Sequence, residues 1–139
     1  MKVKDRWTDA DFDQMGWHDC RLYSLAFPNE DFCLKLDIDY IFRWDKLTDG
    51  SFCFWVSPCD LIFRNVSDFK AEVDFANYMQ LFISDLRRHN ARPSPNGGVT
   101  LWDYEIECDH GQISFTATGF EQLVRKQPDP CGPQQDLGR

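Results

Sequence analysis

The chain has 139 residues, with 15 Lys and Arg against 23 Asp and Glu, and therefore a formal net charge of −8. This length is typical of one domain that buries about two-thirds of its unfolded surface, so folding requires neither disulfides nor a structural metal. A hydrophobic content of 42% excludes a disordered or low-complexity chain. The acidic balance disfavours binding to nucleic acid or to an anionic membrane surface.

The first residues and the six cysteines indicate the cellular compartment of the protein. Residues 1–6 are not followed by the apolar run of a secretory signal. The most apolar stretch, residues 52–56, is far shorter than the roughly 20 residues of a membrane-spanning helix. The cysteines show no C-x-x-C spacing, so we expect reduced thiols and no zinc site. These features predict a cytoplasmic protein without a cofactor.

The first half of the chain predicts strands. Residues 1–16 show no sustained period and are expected to form an irregular lead-in. Apolar and polar residues alternate with a period of two between Phe32 and Tyr40, which is typical of a strand with one buried face. Four strands are expected in this half, at residues 17–27, 32–40, 51–56 and 60–66, with Pro58 separating the last two.

The second half predicts one helix and a hairpin. Tyr78, Leu81, Phe82 and Leu86 recur at spacings of three to four, which indicates an amphipathic helix at residues 77–89. Residues 91–98 are rich in Pro and Gly and predict a loop. Two alternating strands follow at residues 102–108 and 113–118. His110-Gly111 is expected as their two-residue turn, with Cys108 opposite Ile113.

Together these elements predict an α+β fold. Its mainly antiparallel, twisted sheet has about six strands, and one main helix packs on one face. Residues 1–126 form a single domain. The tail, residues 127–139, has three prolines and little apolar content, so we expect it to be disordered.

The first candidate for chemistry is the pair His18 and Asp19, a polar site at the start of the first predicted strand. Adjacent strand residues point to opposite faces, so these two side chains are not expected to hold one ion together. The sequence has no nucleophile motif, no phosphate-binding glycine loop and no metal-ligand spacing, so no catalytic or metal-binding residue is predicted.

The second candidate is an acidic surface. Carboxylates line the polar faces of two predicted strands, with Asp37 and Asp39 on one and Asp103, Glu105 and Glu107 on the other. If the two strands share one sheet surface, their like charges repel and a cationic partner relieves the repulsion. Trp44, in a polar loop, is expected to be exposed and to anchor such a partner. The simpler alternative is a solvated face of an acidic protein.

Two stretches resemble a known family. WHDCRLYSLAF at residues 17–27, with LKLDIDYI after it, and FWVSPCDLIFRNVSDF at residues 54–69 resemble small bacterial proteins of unknown function. These proteins look similar to the immunity proteins of polymorphic toxin systems. The resemblance covers about residues 17–120, implies a cytosolic α+β protein and transfers no catalytic residue.

We therefore expect a non-enzymatic, immunity-type protein that binds a basic, toxin-like partner through the acidic surface and Trp44. Two alternatives remain open. One is a small hydrolase or metal-dependent enzyme around His18, Asp37 and Asp39. The other is a structural homo-oligomer that uses an aromatic sheet face as its interface.

Overall fold

The computed structural model describes residues 1–139, which fold as antiparallel β-structure with one short helix. The strands are β1 (Arg6–Thr8), β2 (Cys20–Ala26), β3 (Leu34–Lys46), β4 (Phe52–Arg64), β5 (Ser67–Val73), β6 (Leu81–Pro93), β7 (Thr100–Cys108), β8 (Gly111–Ala117), β9 (Gly119–Val124) and β10 (Asp129–Pro130). The helix is a 3-10 helix at Asp9–Gln14.

All ten strands belong to one sheet, which folds over on itself. Its order is β1-β9-β4-β3-β2-β6-β7-β8-β5, and β10 also pairs with β4. In a flat sheet β4 and β7 would lie four strand spacings apart, about 19 Å. The ring centroid of Phe63 on β4 nevertheless lies 4.9 Å from that of Tyr104 on β7 and 4.7 Å from that of Phe115 on β8. The two halves of the sheet therefore pack face to face.

The core lies between these two halves and contains a cluster of 19 buried residues. The alternation predicted for β3 is confirmed, because Leu34, Leu36 and Ile38 are fully buried. Phe12 of the 3-10 helix packs on the core, with its ring centroid 5.5 Å from that of Trp17 and 5.9 Å from that of Phe120. There the indole Nε1 of Trp17 donates a buried hydrogen bond of 2.9 Å to the side-chain oxygen of Gln122.

The predicted helix at residues 77–89 is wrong, and so is the α+β class, because most of this segment is strand β6. The cause is a β-bulge. β6 has one more residue than β7 between the pairs Ile83–Cys108 and Leu86–Ile106. The extra residue turns Ile83 and Leu86 to the same, buried side although they are three positions apart. A bulged strand thus reproduces the apolar spacing of a helix.

The predicted strands at residues 51–56 and 60–66 form one continuous strand, β4. Pro58 does not end it, because its missing N–H lies where no neighbouring strand needs a donor. The Pro58 carbonyl accepts a hydrogen bond of 2.9 Å from the N–H of Arg125. The nitrogen of Pro58 points to the same side, into the gap between Val124, which ends β9, and Asp129, which begins β10. A proline is tolerated at such a gap.

The hairpin of β7 and β8 is confirmed, with a register two residues away from the predicted one. Cys108 lies opposite Gly111, and the two-residue turn is Asp109-His110. A shift of two residues keeps every side chain on its own face of the sheet. Ile106 and Ile113 are therefore both buried, as the alternation predicts.

The tail, for which the composition predicts disorder, lies against β3 and β4. β10 pairs with Trp55 and Val56, and the N–H of Cys131 donates to the carbonyl of Phe54 at 2.8 Å. Further along, the N–H of Leu137 donates to the carboxylate of Asp39 at 2.7 Å. The tail therefore covers the outward side of β3, on which Asp39 lies.

Gly111 provides a test of this packing, because edge strand β5 passes close to it. Its φ is +154°, and a Cβ on it would lie 1.8 Å from the carbonyl oxygen of Glu72. We expect Gly111→Ala to lower the free energy of unfolding by more than about 2 kcal/mol in urea titrations, because β5 must move away. Gly16→Ala is the control, since its Cβ meets nothing within 4 Å, and should change it by less than about 0.5 kcal/mol. An equal loss of unfolding free energy in the two variants would contradict this packing.

Candidate functional site

An open groove of about 400 Å³ lies on the outward side of β3 and β4. We call it the aromatic groove. It is lined by Gly16, His18, Asp19, Ile41, Trp44, Phe52, Phe54 and Gln135. Two features predicted separately from the sequence, the polar pair His18 and Asp19 and the exposed Trp44, therefore meet at one site.

A second β-bulge builds the apolar wall of the groove. β3 has an extra residue relative to β4 between Ile41 and Arg43, so Ile41 and Trp44 share one side of the strand. Trp44 lies opposite Phe54, and Phe52 is two residues from Phe54 on the same side. Trp44 is 64% exposed and Phe52 is 39% exposed. A cluster of large apolar side chains open to solvent is typical of an interaction site.

The polar end of the groove is the turn before β2. Asp19 adopts a left-handed φ of +66°, which aspartate tolerates better than most residues. His18 and Asp19 precede the strand, so the rule that adjacent strand residues point to opposite faces does not apply to them. The Nε2 of His18 lies 3.4 Å from the Asp19 carboxylate. The Nδ1 of His18 lies 2.8 Å from the carbonyl oxygen of Ser84 and, because a carbonyl only accepts, must carry a proton.

A second site lies beside the groove, and we call it the arginine cradle. It consists of Tyr23, Asp37, Asp39 and the carbonyl of Ile38, and it holds the guanidinium of Arg139. Arg139 donates to Asp37 at 2.7 and 3.0 Å, to Asp39 at 3.0 Å and to the carbonyl of Ile38 at 3.1 Å. The carbon at the centre of its guanidinium lies 4.1 Å from the ring centroid of Tyr23.

Asp39 forms the floor of the arginine cradle and is completely buried, although the sequence predicts a solvated position. The hydroxyl of Tyr23 donates to Asp39 at 2.5 Å. Burial, and then this hydrogen bond, raise the pKa of Tyr23 to about 12, so its hydroxyl keeps its proton and remains a donor. The buried carboxylate is thus fully satisfied, as the cost of burying a charge requires.

Asp37 forms the rim of the cradle and bonds to two arginines. Partial burial alone would raise its pKa, but the hydrogen bonds from Arg139 and Arg125 outweigh burial and lower it. Arg125 also bonds to Asp60, which lies directly opposite Asp37 on β4. Arg125 therefore bridges two like charges that would otherwise repel each other.

Asp103, Glu105 and Glu107 lie on β7, whose outward side faces away from that of β3 because both strands turn their apolar sides to the common core. The structure therefore separates them from Asp37 and Asp39. Arg87 bonds to Glu107 at 2.9 Å and to Glu105 at 3.3 Å. The predicted acidic strands thus form two surfaces, and each of them already bonds arginines of the same chain.

The structure does not bring His18, Asp37 and Asp39 together. His18 lines the aromatic groove, whereas the two aspartates bond to Arg139 beneath the tail. No group of three or more His, Cys, Asp or Glu side chains is arranged to hold a metal ion. All six cysteines are free thiols. None of the helical structure is long and apolar enough to cross a membrane.

Several residues of both sites escape sequence reasoning. The alternation Phe52-Cys53-Phe54 could have placed the two phenylalanines on one side. No signal in the sequence connects Arg139 or Gln135 with β3, because about 100 residues separate them from it. Their positions depend on the course of the tail.

The chain matches no protein-family model, no curated protein and no solved structure. The resemblance to immunity proteins therefore remains a prediction from two stretches of sequence. Function has to be argued from the geometry of the groove and the cradle.

The hydrogen bonds to Asp103 predict a pH dependence of stability. Bonds from Asn90 at 2.9 Å, Thr116 at 2.9 Å and Arg92 at 3.0 Å lower the pKa of Asp103 to about 2. The unfolded value is about 3.9. A carboxyl with a lowered folded-state pKa stabilises the fold above the unfolded pKa, and this contribution is lost as the pH falls towards the folded pKa.

We therefore expect Asp103→Asn to flatten the fall in unfolding free energy between about pH 4 and about pH 2, measured by urea titration at each pH. Glu30→Gln is the control, because this exposed side chain makes no hydrogen bond or ion pair, and it should keep the wild-type profile. A profile for Asp103→Asn as steep as that of the wild type would contradict the role of these bonds.

Proposed function

We propose that the protein is a cytoplasmic, immunity-type binding domain that takes a basic segment of a partner protein into the aromatic groove. The observation that carries this proposal is the convergence of an exposed tryptophan, two phenylalanines and a carboxylate in one groove. A lysine or arginine side chain suits this arrangement, because its aliphatic stem packs on aromatic rings while its charged end reaches a carboxylate.

Charge supports a basic partner. Asp19 is the one carboxylate of the groove wall, and its side chain is 42% exposed, so it is available to a ligand. The chain as a whole carries a formal net charge of −8. Such a charge attracts a cationic protein over a distance and speeds its capture at low salt.

The exposure of the groove favours a protein segment over an enclosed small molecule. Sites for small molecules bury most of the ligand surface, whereas Trp44 stands largely in solvent. Exposed tryptophans of this kind dominate the energetics of protein interfaces when a partner buries them. The carboxylates of the predicted acidic strands already bond to Arg87, Arg125 and Arg139. In the free protein they therefore contribute only a general attraction to a basic partner.

The test uses a short labelled peptide of alternating lysine and leucine, and a matched peptide of alternating glutamate and leucine. We expect the lysine peptide to bind more tightly. Trp44→Ala should weaken it at least about tenfold, because a central aromatic anchor is removed. Asp19→Asn should weaken it less and reduce the salt dependence of the Kd. Asparagine accepts the left-handed φ of this position, so the variant keeps the turn.

Two control variants match these changes. Phe32→Ala removes an aromatic ring that is 72% exposed but lies outside the groove, and Glu30→Gln neutralises an exposed carboxylate elsewhere. Neither should alter the Kd. Equal binding of both peptides, or an equal loss in Phe32→Ala, would falsify the proposed site. A native mass that is a multiple of 16.3 kDa and falls to one chain in Trp44→Ala would assign the groove to a homo-oligomer instead.

A further inference from the structure

The contacts of Arg139 form a complete recognition site for a guanidinium. Nε and both terminal nitrogens donate to Asp37, Asp39 or the carbonyl of Ile38, and the planar group lies over the ring of Tyr23. Paired, coplanar bonds to carboxylates together with stacking on an aromatic face are the interactions that distinguish arginine from lysine.

The framework of this site is rigid and does not depend on Arg139. Asp37 and Asp39 lie in the middle of β3, between β2 and β4, and Tyr23 lies on β2. The Tyr23 hydroxyl holds the Asp39 carboxylate at 2.5 Å, and Arg125 holds Asp37 from the other side at 2.8 Å. Removal of Arg139 therefore leaves two oriented carboxylates and an aromatic face.

Arg139 reaches the cradle on a segment that has few other attachments. After Gly132, and apart from those of Arg139, the hydrogen bonds to the domain are those of Gln135 with Asp19, Asp136 with Arg21 and Leu137 with Asp39. No residue of this segment belongs to the buried core. Ordering it costs conformational entropy, which offsets part of the binding energy of Arg139 and lets an arginine of a partner compete for the site.

We propose that the cradle of Tyr23, Asp37 and Asp39 is a binding site for an arginine side chain of the basic partner, and that Arg139 occupies it in the free protein. This inference rests on the proposed function and adds a second subsite beside the groove. Arg139 then acts as an internal competitor, and a partner arginine replaces it by making the same bonds.

The experiment measures the Kd of a labelled arginine–glycine repeat peptide and of a matched lysine–glycine peptide. Arg139→Ala should bind the arginine peptide at least about tenfold more tightly than the wild type, because the competitor is gone. The affinity for the lysine peptide should increase less, since an ammonium cannot make the paired hydrogen bonds to a carboxylate. Adding Asp37→Asn to Arg139→Ala should abolish the gain.

Arg87→Ala is the matched control. Arg87 bonds to Asp85, Glu105 and Glu107 on the opposite face, where no aromatic ring stacks on it. Its removal changes the net charge equally and should leave the Kd for the arginine peptide unchanged. Equal gains in Arg87→Ala and Arg139→Ala would show general charge attraction and overturn the inference.

Arg139→Lys provides a variant that keeps the positive charge on the tail. It should fold as the wild type does and bind the arginine peptide with intermediate affinity. No gain in either Arg139 variant would show that Arg139 is a structural latch only. The two proposals are tested independently. Trp44→Ala with the lysine–leucine peptide tests the groove, and Arg139→Ala with the arginine–glycine peptide tests the cradle. In the Arg139→Ala background, Trp44→Ala should keep the gain for the arginine peptide.

Discussion

The fold depends on the burial of Phe63 between the two halves of one sheet. Its ring contacts Tyr104 and Phe115 across the core, so strands that are distant in the sheet order become neighbours in space. This closure gives every long strand one buried and one outward side. The outward sides of β3 and β7 consequently face away from each other. The carboxylates of these two strands therefore lie on two separate surfaces.

Many of the acidic side chains on these surfaces form ion pairs with arginines of the same chain. Aligned carboxylates on neighbouring strands repel each other, and arginines from other strands or from the tail bridge them, as Arg125 does between Asp37 and Asp60. Exposed pairs of this kind contribute little to stability. The arginine cradle differs, because Asp39 is completely buried and bonds to Tyr23 and Leu137 as well as to Arg139. Under the proposed function, the net charge would attract a basic partner in general, and local geometry at the groove and the cradle would decide where it binds.

The sequence predicts the positions of the strands better than it predicts the fold class. Alternation in β3, β7 and β8 identifies the buried faces correctly, because a register error of two residues leaves the faces unchanged. It fails at β6, where a bulge after Ile83 imitates helical spacing, and sequence periodicity alone cannot distinguish the two. Trp44, His18 and Asp19 are each found from the sequence, but their convergence is not, since it depends on the bulge after Ile41 and on a left-handed turn.

The tail connects the two proposed subsites. Gln135 donates to Asp19 in the groove at 3.2 Å, and Arg139, four residues later, bonds to Asp37 and Asp39 in the cradle. Under the proposed function, a ligand that displaces Arg139 would loosen the segment that also holds Gln135, and would remove the hydrogen bond from Gln135 to the already exposed Asp19. Coupling of binding free energies is reciprocal, so in that case occupation of Asp19 in the groove would weaken the hold of Arg139 on the cradle by the same factor. A partner with an arginine and an apolar-flanked lysine at the right spacing would therefore bind more tightly than the two contacts would separately.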